Sequence, residues 1–156
     1  MRLDAIDRRI LEALQEEGRL SNLELAERVG LSPSPCLRRV KLLERMGIVR
    51  GYRAQVSREA VGLDLTVFVA VNLEGHGSDN PRRFREVVLA MPEVVACYIV
   101  SGESDYLLHV VAPNFEAYRL FVLDHLLKAP GVKDIRSSFA LDVLKEAAPL
   151  PLAHLK

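Results

Sequence analysis

Apolar and polar positions change their period partway along the chain. Before residue 50 they recur at helical spacing. Leu3, Ile6, Ile10, Leu11 and Leu14 share one helix face, with charges between them. Asp4 stands where it can cap that helix, and Gly18 where it can end it. Ser21-Asn22-Leu23-Glu24 is a capping box, predicting a second helix to about Val29. Gly30 marks a sharp turn, and Ser32-Pro33 restarts the chain as cap and first turn. A third helix is predicted over about 33–46, ending at Gly47. Leu37, Val40 and Leu43 or Met46 would form its inner stripe.

Beyond residue 60 the apolar runs become short, branched and aromatic. Strands are predicted over 65–71 (LTVFVAV), 94–100 (VVACYIV), 105–112 (DYLLHVVA) and 132–141 (VKDIRSSFAL), with helices over 82–91 and 114–128. The order βαββαβ is a ferredoxin-like split pattern. An internal echo supports it: Met91-Pro92-Glu93-Val94 and Ala129-Pro130-Gly131-Val132 each lead from a helix into a strand. Two helices cover one face of a four-stranded sheet. LTVFVAV and VVACYIV are apolar on both sides, so a second copy of the chain is expected on the other face. The fold class expected is α+β, a helix-turn-helix domain joined to a ferredoxin-like sandwich. The expected bounds are 1–50 for the first domain, 51–60 for a linker strand or hinge, 61–145 for the sandwich and 146–156 for a tail.

Charge adds a function. Lys+Arg and Asp+Glu balance at 21 each, yet residues 1–60 carry 12 against 9 and residues 61–156 carry 9 against 12. Within 30–58, seven cations face one acid, Glu44. Ser34, Arg38, Lys41 and Arg45 recur at i, i+4, i+7 and i+11, which places them on one outward face of the third helix, flanked by Arg39. Arginine can bridge guanine O6 and N7, while lysine and serine also suit phosphate. The bland alternative is a solvated amphipathic helix. The tight turn, the capped helix before it and the scarcity of acids favour a helix that reads the major groove of double-stranded DNA. The following segment, 48–56 (IVRGYRAQV), is predicted to be extended. Arg50 and Arg53 either touch phosphate as a wing or lie on a strand between domains.

Other chemistry is sparse. Cys36 and Cys97 lie in different segments without a CxxC neighbour, so each is expected as a small buried hydrophobe rather than a zinc ligand. His76, His109, His125 and His154 form no ligand spacing, and no P-loop, nucleophile elbow or carboxylate pair occurs. Neither an enzyme nor a cofactor nor a metal is expected. No apolar run is long enough to cross a bilayer, and MRLDAIDRR has no signal-peptide character, so a cytoplasmic protein is expected, with no membrane partner. From spacing alone, Ser101-Gly102-Glu103-Ser104-Asp105 is a hairpin turn, and Ser137 and Ser138 are ordinary strand residues.

Taken together, Asp7-x-x-Ile10-Leu11, LELAERVGLSPSPCLRRVKLLERMGIVRGY, SGESDYLLHV and PGVKDIRSSFAL with Lys145 resemble the Lrp/AsnC, or feast/famine, family of prokaryotic transcription regulators. The resemblance covers nearly the whole chain. It implies a winged or plain helix-turn-helix, a strand linker and a ligand-responsive sandwich; the DNA contacts expected on the third helix are Ser34, Pro35, Arg38, Arg39, Lys41 and Arg45. It implies dimers formed through the sandwich and assembly into octamers or other multiples. It also implies a small effector, commonly a free amino acid, held by Ser101, Gly102, Glu103 and Asp105. Ser137 stands where the family usually has threonine, keeping the hydroxyl and losing a methyl. The remaining alternative within DNA-binding proteins is an architectural, DNA-compacting role without a ligand.

Overall fold

Residues 3–75, 79–146 and 148–155 are described in a computed structural model. They form two compact units, Met1–Gln55 with Lys145–Lys156, and Val56–Leu144. The last residues therefore belong with the first ones, not to a separate tail.

In the first unit, α1 spans Ala5–Glu16, α2 Asn22–Val29 and α3 Pro33–Arg45. Asp4 caps α1 by accepting from the Ile6 and Asp7 amides, and Asp7 accepts from the Asp4 amide in return. Ser21 and Glu24 cap α2 reciprocally, as the sequence predicts. Gly30 ends α2 at φ 73°, a left-handed conformation that costs a glycine little. Ser32 precedes α3 without a side-chain cap bond; Pro33 opens the helix, where its missing N–H would have had no helical partner.

Ile10, Leu11, Ala13, Leu25, Ala26, Val29, Cys36 and Leu43 form the core, with Val40, Val49 and Leu152 packed on it. The inner stripe of α3 is therefore Cys36, Val40 and Leu43. Leu37 and Met46, expected inside, are 41% and 42% exposed. The Gln15 side-chain amide donates to the Leu150 carbonyl at 3.3 Å and accepts from its N–H at 2.6 Å. Arg8 donates to the Leu155 carbonyl at 3.1 Å. These bonds and Leu152 hold residues 150–155 against the three helices. The segment 48–56, expected to be extended, pairs with no strand among the described residues. Branched and aromatic side chains favour extended backbone, but a strand also needs a partner edge.

The second unit contains β1 (Leu65–Leu73), α4 (Asn80–Leu89), β2 (Val94–Ile99), β3 (Tyr106–Ala112), α5 (Phe115–Asp124) and β4 (Val132–Phe139). A 3-10 turn at Leu126–Lys128 takes the end of the predicted second helix. The sheet is antiparallel in the order β2-β3-β1-β4. Val67, Val69 and Val71 of β1 and Leu108 and Val110 of β3 pack with Phe84 and Val88 of α4 and Tyr118 and Phe121 of α5. Alternation then sends Phe68, Ala70, Leu107 and His109 to the opposite face. Register aligns Ala96, His109, Phe68 and Ser138 in one row and Tyr98, Leu107, Ala70 and Arg136 in the next. Phe68 and Tyr98 on that face are 41% and 56% exposed. No helix among the described residues is long and apolar enough to cross a membrane.

Candidate nucleic-acid interface and effector loop

The candidate recognition face is assembled by local geometry. Ser34, Leu37, Arg38, Lys41, Glu44 and Arg45 line one shallow depression on α3. Ser34, Arg38, Lys41 and Arg45 are all exposed, as their spacing requires, and Pro35 is half-buried in the first turn. Arg38 and Lys41 have no ion-pair partner among the described residues. Arg45 donates to the Lys41 carbonyl at 3.3 Å, within its own helix. The face is anchored from below: Asn22 at the start of α2 donates to the Pro33 carbonyl at 2.9 Å, fixing how α3 leaves the turn. Glu44, the one acid, accepts from the Tyr52 hydroxyl at 3.1 Å. Burial, and then this neighbouring carboxylate, push the Tyr52 phenol above its usual range.

Arg39 departs from the expected set. Its guanidinium reaches Asp4 and Asp7, each at 2.8 Å. A helical residue next to Arg38 is turned by about 100° from it, and this rotation aims Arg39 at the start of α1. The Asp7 side chain is 1% exposed, so the pair ties α3 to α1 through a desolvated carboxylate. Hydrogen bonds to Asp7 and then Asp4 raise the arginine's pKa further. Asp4 is held below the usual carboxylate range, chiefly by the Asp7 N–H it accepts. Sequence periodicity sees Arg39 as a flanking cation; only the packing of α1 shows its partner.

The candidate effector loop joins β2 to β3. Ser101, Gly102 and Glu103 are exposed and Asp105 is half-buried. Gly102 has φ +124°, a conformation that side chains rarely adopt. Asp105 accepts from the Leu73 N–H at 2.8 Å, and its own N–H donates to the Val71 carbonyl at 3.1 Å, so it closes the end of β1. Glu103 accepts from Arg136 of β4 at 3.2 Å. Arg136 and Ser137 are consecutive strand residues and face opposite sides of the sheet. The Ser137 hydroxyl lies 2.5 Å from the Tyr118 hydroxyl, on the helix-covered side. Burial raises the Tyr118 phenol, and the bond to Ser137 opposes that rise. Within one chain, then, Glu103 and Asp105 are joined to neighbouring strands, while Ser137 turns toward α5. Tyr118 and Arg136 are the participants that motif spacing missed. A buried tyrosine needs a partner for its hydroxyl, and that was the available signal.

Comparisons with known proteins match this division. Residues 3–50 match a winged helix-turn-helix DNA-binding model, and residues 66–150 the Lrp/AsnC ligand binding domain. The leucine-responsive regulatory protein of Klebsiella pneumoniae is 43% identical over 145 residues, covering 93% of this chain and 88% of the relative. Its counterpart in Rhizobium meliloti is 42% identical, covering 96% of each. Among solved structures, a transcriptional regulator from Neisseria meningitidis in complex with L-Met superposes with TM-score 0.94 at 49% identity, over 99% of both chains. An AsnC family transcriptional regulator from Agrobacterium tumefaciens gives TM-score 0.92 at 39% identity, over 99% of this chain and 100% of the other. With a helix-turn-helix in its first unit, a ferredoxin-like sandwich in its second and relatives of this similarity along nearly its whole length, the chain belongs to the Lrp/AsnC family of DNA-binding transcription regulators.

Proposed function

We propose that α3 enters the major groove with Ser34, Pro35, Arg38, Lys41 and Arg45 toward the DNA, and that a free amino acid bound at the sandwich tunes the response. The observation that carries the first part is the outward stripe on α3, whose cations point away from their own fold. Arg38 is the base reader and Lys41 a phosphate contact, because a planar fork fits guanine and a point charge does not need to. Gel-shift titration at fixed salt tests this: Lys41→Ala should weaken all sequences alike and flatten the salt dependence by about one unit. An unchanged salt slope refutes the phosphate role.

The effector reading rests on Asp105 and the Ser101–Glu103 turn. An amino acid brings an ammonium for a carboxylate and a carboxylate for backbone N–H groups. The Neisseria relative crystallised with L-Met supports this ligand class. In this reading Asp105 and Ser137 of one site come from different copies, with Ser137 turned toward Tyr118 within its own chain. Two copies meet across the open sheet face of Phe68, Tyr98 and Leu107, and dimers then build octamers or another multiple. The protein acts in the cytoplasm and catalyses no reaction in this reading. Asp105→Asn is the sharper test variant, since its amide oxygen still accepts from Leu73 N–H while the charge is gone. Calorimetry should show amino-acid binding to wild type and at least tenfold weaker binding to Asp105→Asn, with DNA affinity retained. Equal binding by both places the ligand elsewhere.

A further inference from the structure

Leu37 is the residue on the recognition face whose chemistry does not match its neighbours. It lies outside the buried cluster of the first unit, whose α3 contributions come from Cys36, Val40 and Leu43. It lines the same depression as Ser34, Arg38 and Lys41. The four positions follow i, i+3, i+4 and i+7, so Leu37 completes the stripe rather than interrupting it. Single exposed leucines are common and need no explanation. This one is 41% exposed in the first two turns of the helix, among a hydroxyl and two unpaired cations. Those two turns are the part of a recognition helix that reaches base edges. The major groove offers one apolar group there, the C5-methyl of thymine.

We propose that Leu37 is a specificity-determining residue that packs on a thymine methyl group beside the base read by Arg38. This rests on the assignment of the α3 face to DNA and deepens it. A cationic rim draws the duplex in without regard to sequence, and the leucine then discriminates. Over thymine it removes a methyl and part of its own isobutyl group from water. Over cytosine, which presents an N4 amino group and no methyl, it desolvates a donor without pairing it. Glu44 lies on the same face and is already an acceptor for Tyr52.

The test separates the methyl from everything else. Duplexes enriched from a random pool by the full-length protein define the site. Each thymine is then replaced singly by deoxyuridine, which deletes only the methyl. Wild type should bind about fourfold more weakly at one thymine, or at its symmetry mate, the value of one buried methyl-sized group. Leu37→Ala should bind the thymine and deoxyuridine duplexes alike, with little change in melting temperature because its side chain lies outside the buried cluster. Arg38→Ala should bind both more weakly and keep the fourfold ratio. The proposal is overturned if no deoxyuridine weakens wild type, or if Leu37→Ala keeps the same ratio. A different result, full affinity in both Arg38→Ala and Leu37→Ala, rejects the α3 face itself.

Discussion

The candidate recognition face of α3 and the candidate effector loop after β2 are built on opposite plans. On α3 every participant belongs to one helix, and the helical repeat alone brings Ser34, Leu37, Arg38 and Lys41 together. Their polar groups point outward and the fold makes little use of them. At the loop, the polar groups already work for the sandwich. Asp105 closes β1, Glu103 holds Arg136, and Ser137 satisfies Tyr118. A surface that meets a polyanion can be finished within one chain. A pocket for a small zwitterion needs walls on several sides, and one sheet edge does not supply them.

Four measurements would break or sharpen that contrast. The largest effect is expected from Arg39→Ala, which leaves the desolvated Asp7 carboxylate without its cation. We expect a loss of about 2–3 kcal/mol in the stability of the first unit, in the low range for a broken buried pair because Arg39 is partly exposed. Urea denaturation reads it, and operator affinity well below the melting range should stay as in wild type. A normal melting curve with lost affinity would return Arg39 to the DNA face. Arg38→Ala should do the reverse, costing about 2 kcal/mol of specific binding at fixed salt with no change in melting. Ser137→Ala orphans the Tyr118 hydroxyl and should cost the sandwich about 1 kcal/mol. Ser137→Thr should keep that stability, so any change it makes in amino-acid affinity isolates the added methyl. If Ser137→Ala melts like wild type, the Tyr118 bond carries no weight.

The smallest effect distinguishes the units by pH. His109 of the sandwich is held below its ordinary value of 6.5, first by burial and then by the charge of Arg58. The unfolded chain therefore binds this proton more readily. Its contribution to stability is complete above pH 6.5 and shrinks as pH falls toward the lower folded value. Asp4 in the first unit is held below 3.8, so its contribution is complete above that value and is lost only at stronger acidity. Melting curves between pH 8 and 5 should show wild type weakening below pH 6.5 and His109→Gln weakening less. Parallel curves would remove His109 from the account.

Much of the fold was legible because it follows short-range rules. The Ser21–Glu24 box, the glycine at position 30 and the βαββαβ order need only local spacing, and each stands where the pattern puts it. What the sequence does not show lies where distance along the chain stops predicting distance in space. Leu37 and Cys36 are adjacent, and both suit an apolar stripe; the smaller residue fits under α1 and α2, so the leucine faces out. Arg39 carries the same charge as Arg38, but Asp4 and Asp7 are 35 and 32 residues away. The 48–56 segment has strand composition and no strand edge to join. Asp105 and Ser137 could be named from family resemblance, but the bonds to Leu73 and Tyr118 depend on sheet register, which no motif encodes.

The bonds between Gln15 and Leu150, together with Leu152 on the helical core, have a consequence for biosynthesis. The three helices leave the ribosome early, yet the residues that clasp them are made after the whole sandwich. A chain stopped at residue 144 would carry the whole outward face of α3 on a unit that lacks its clasp. Completion of the DNA-binding unit thus reports that translation ran through the regulatory half, which would disfavour unregulated fragments that occupy operators. Pulse proteolysis of the full chain and of one truncated at residue 144 can test this. α1 should be better protected in the full chain, and equal protection in the two would contradict it.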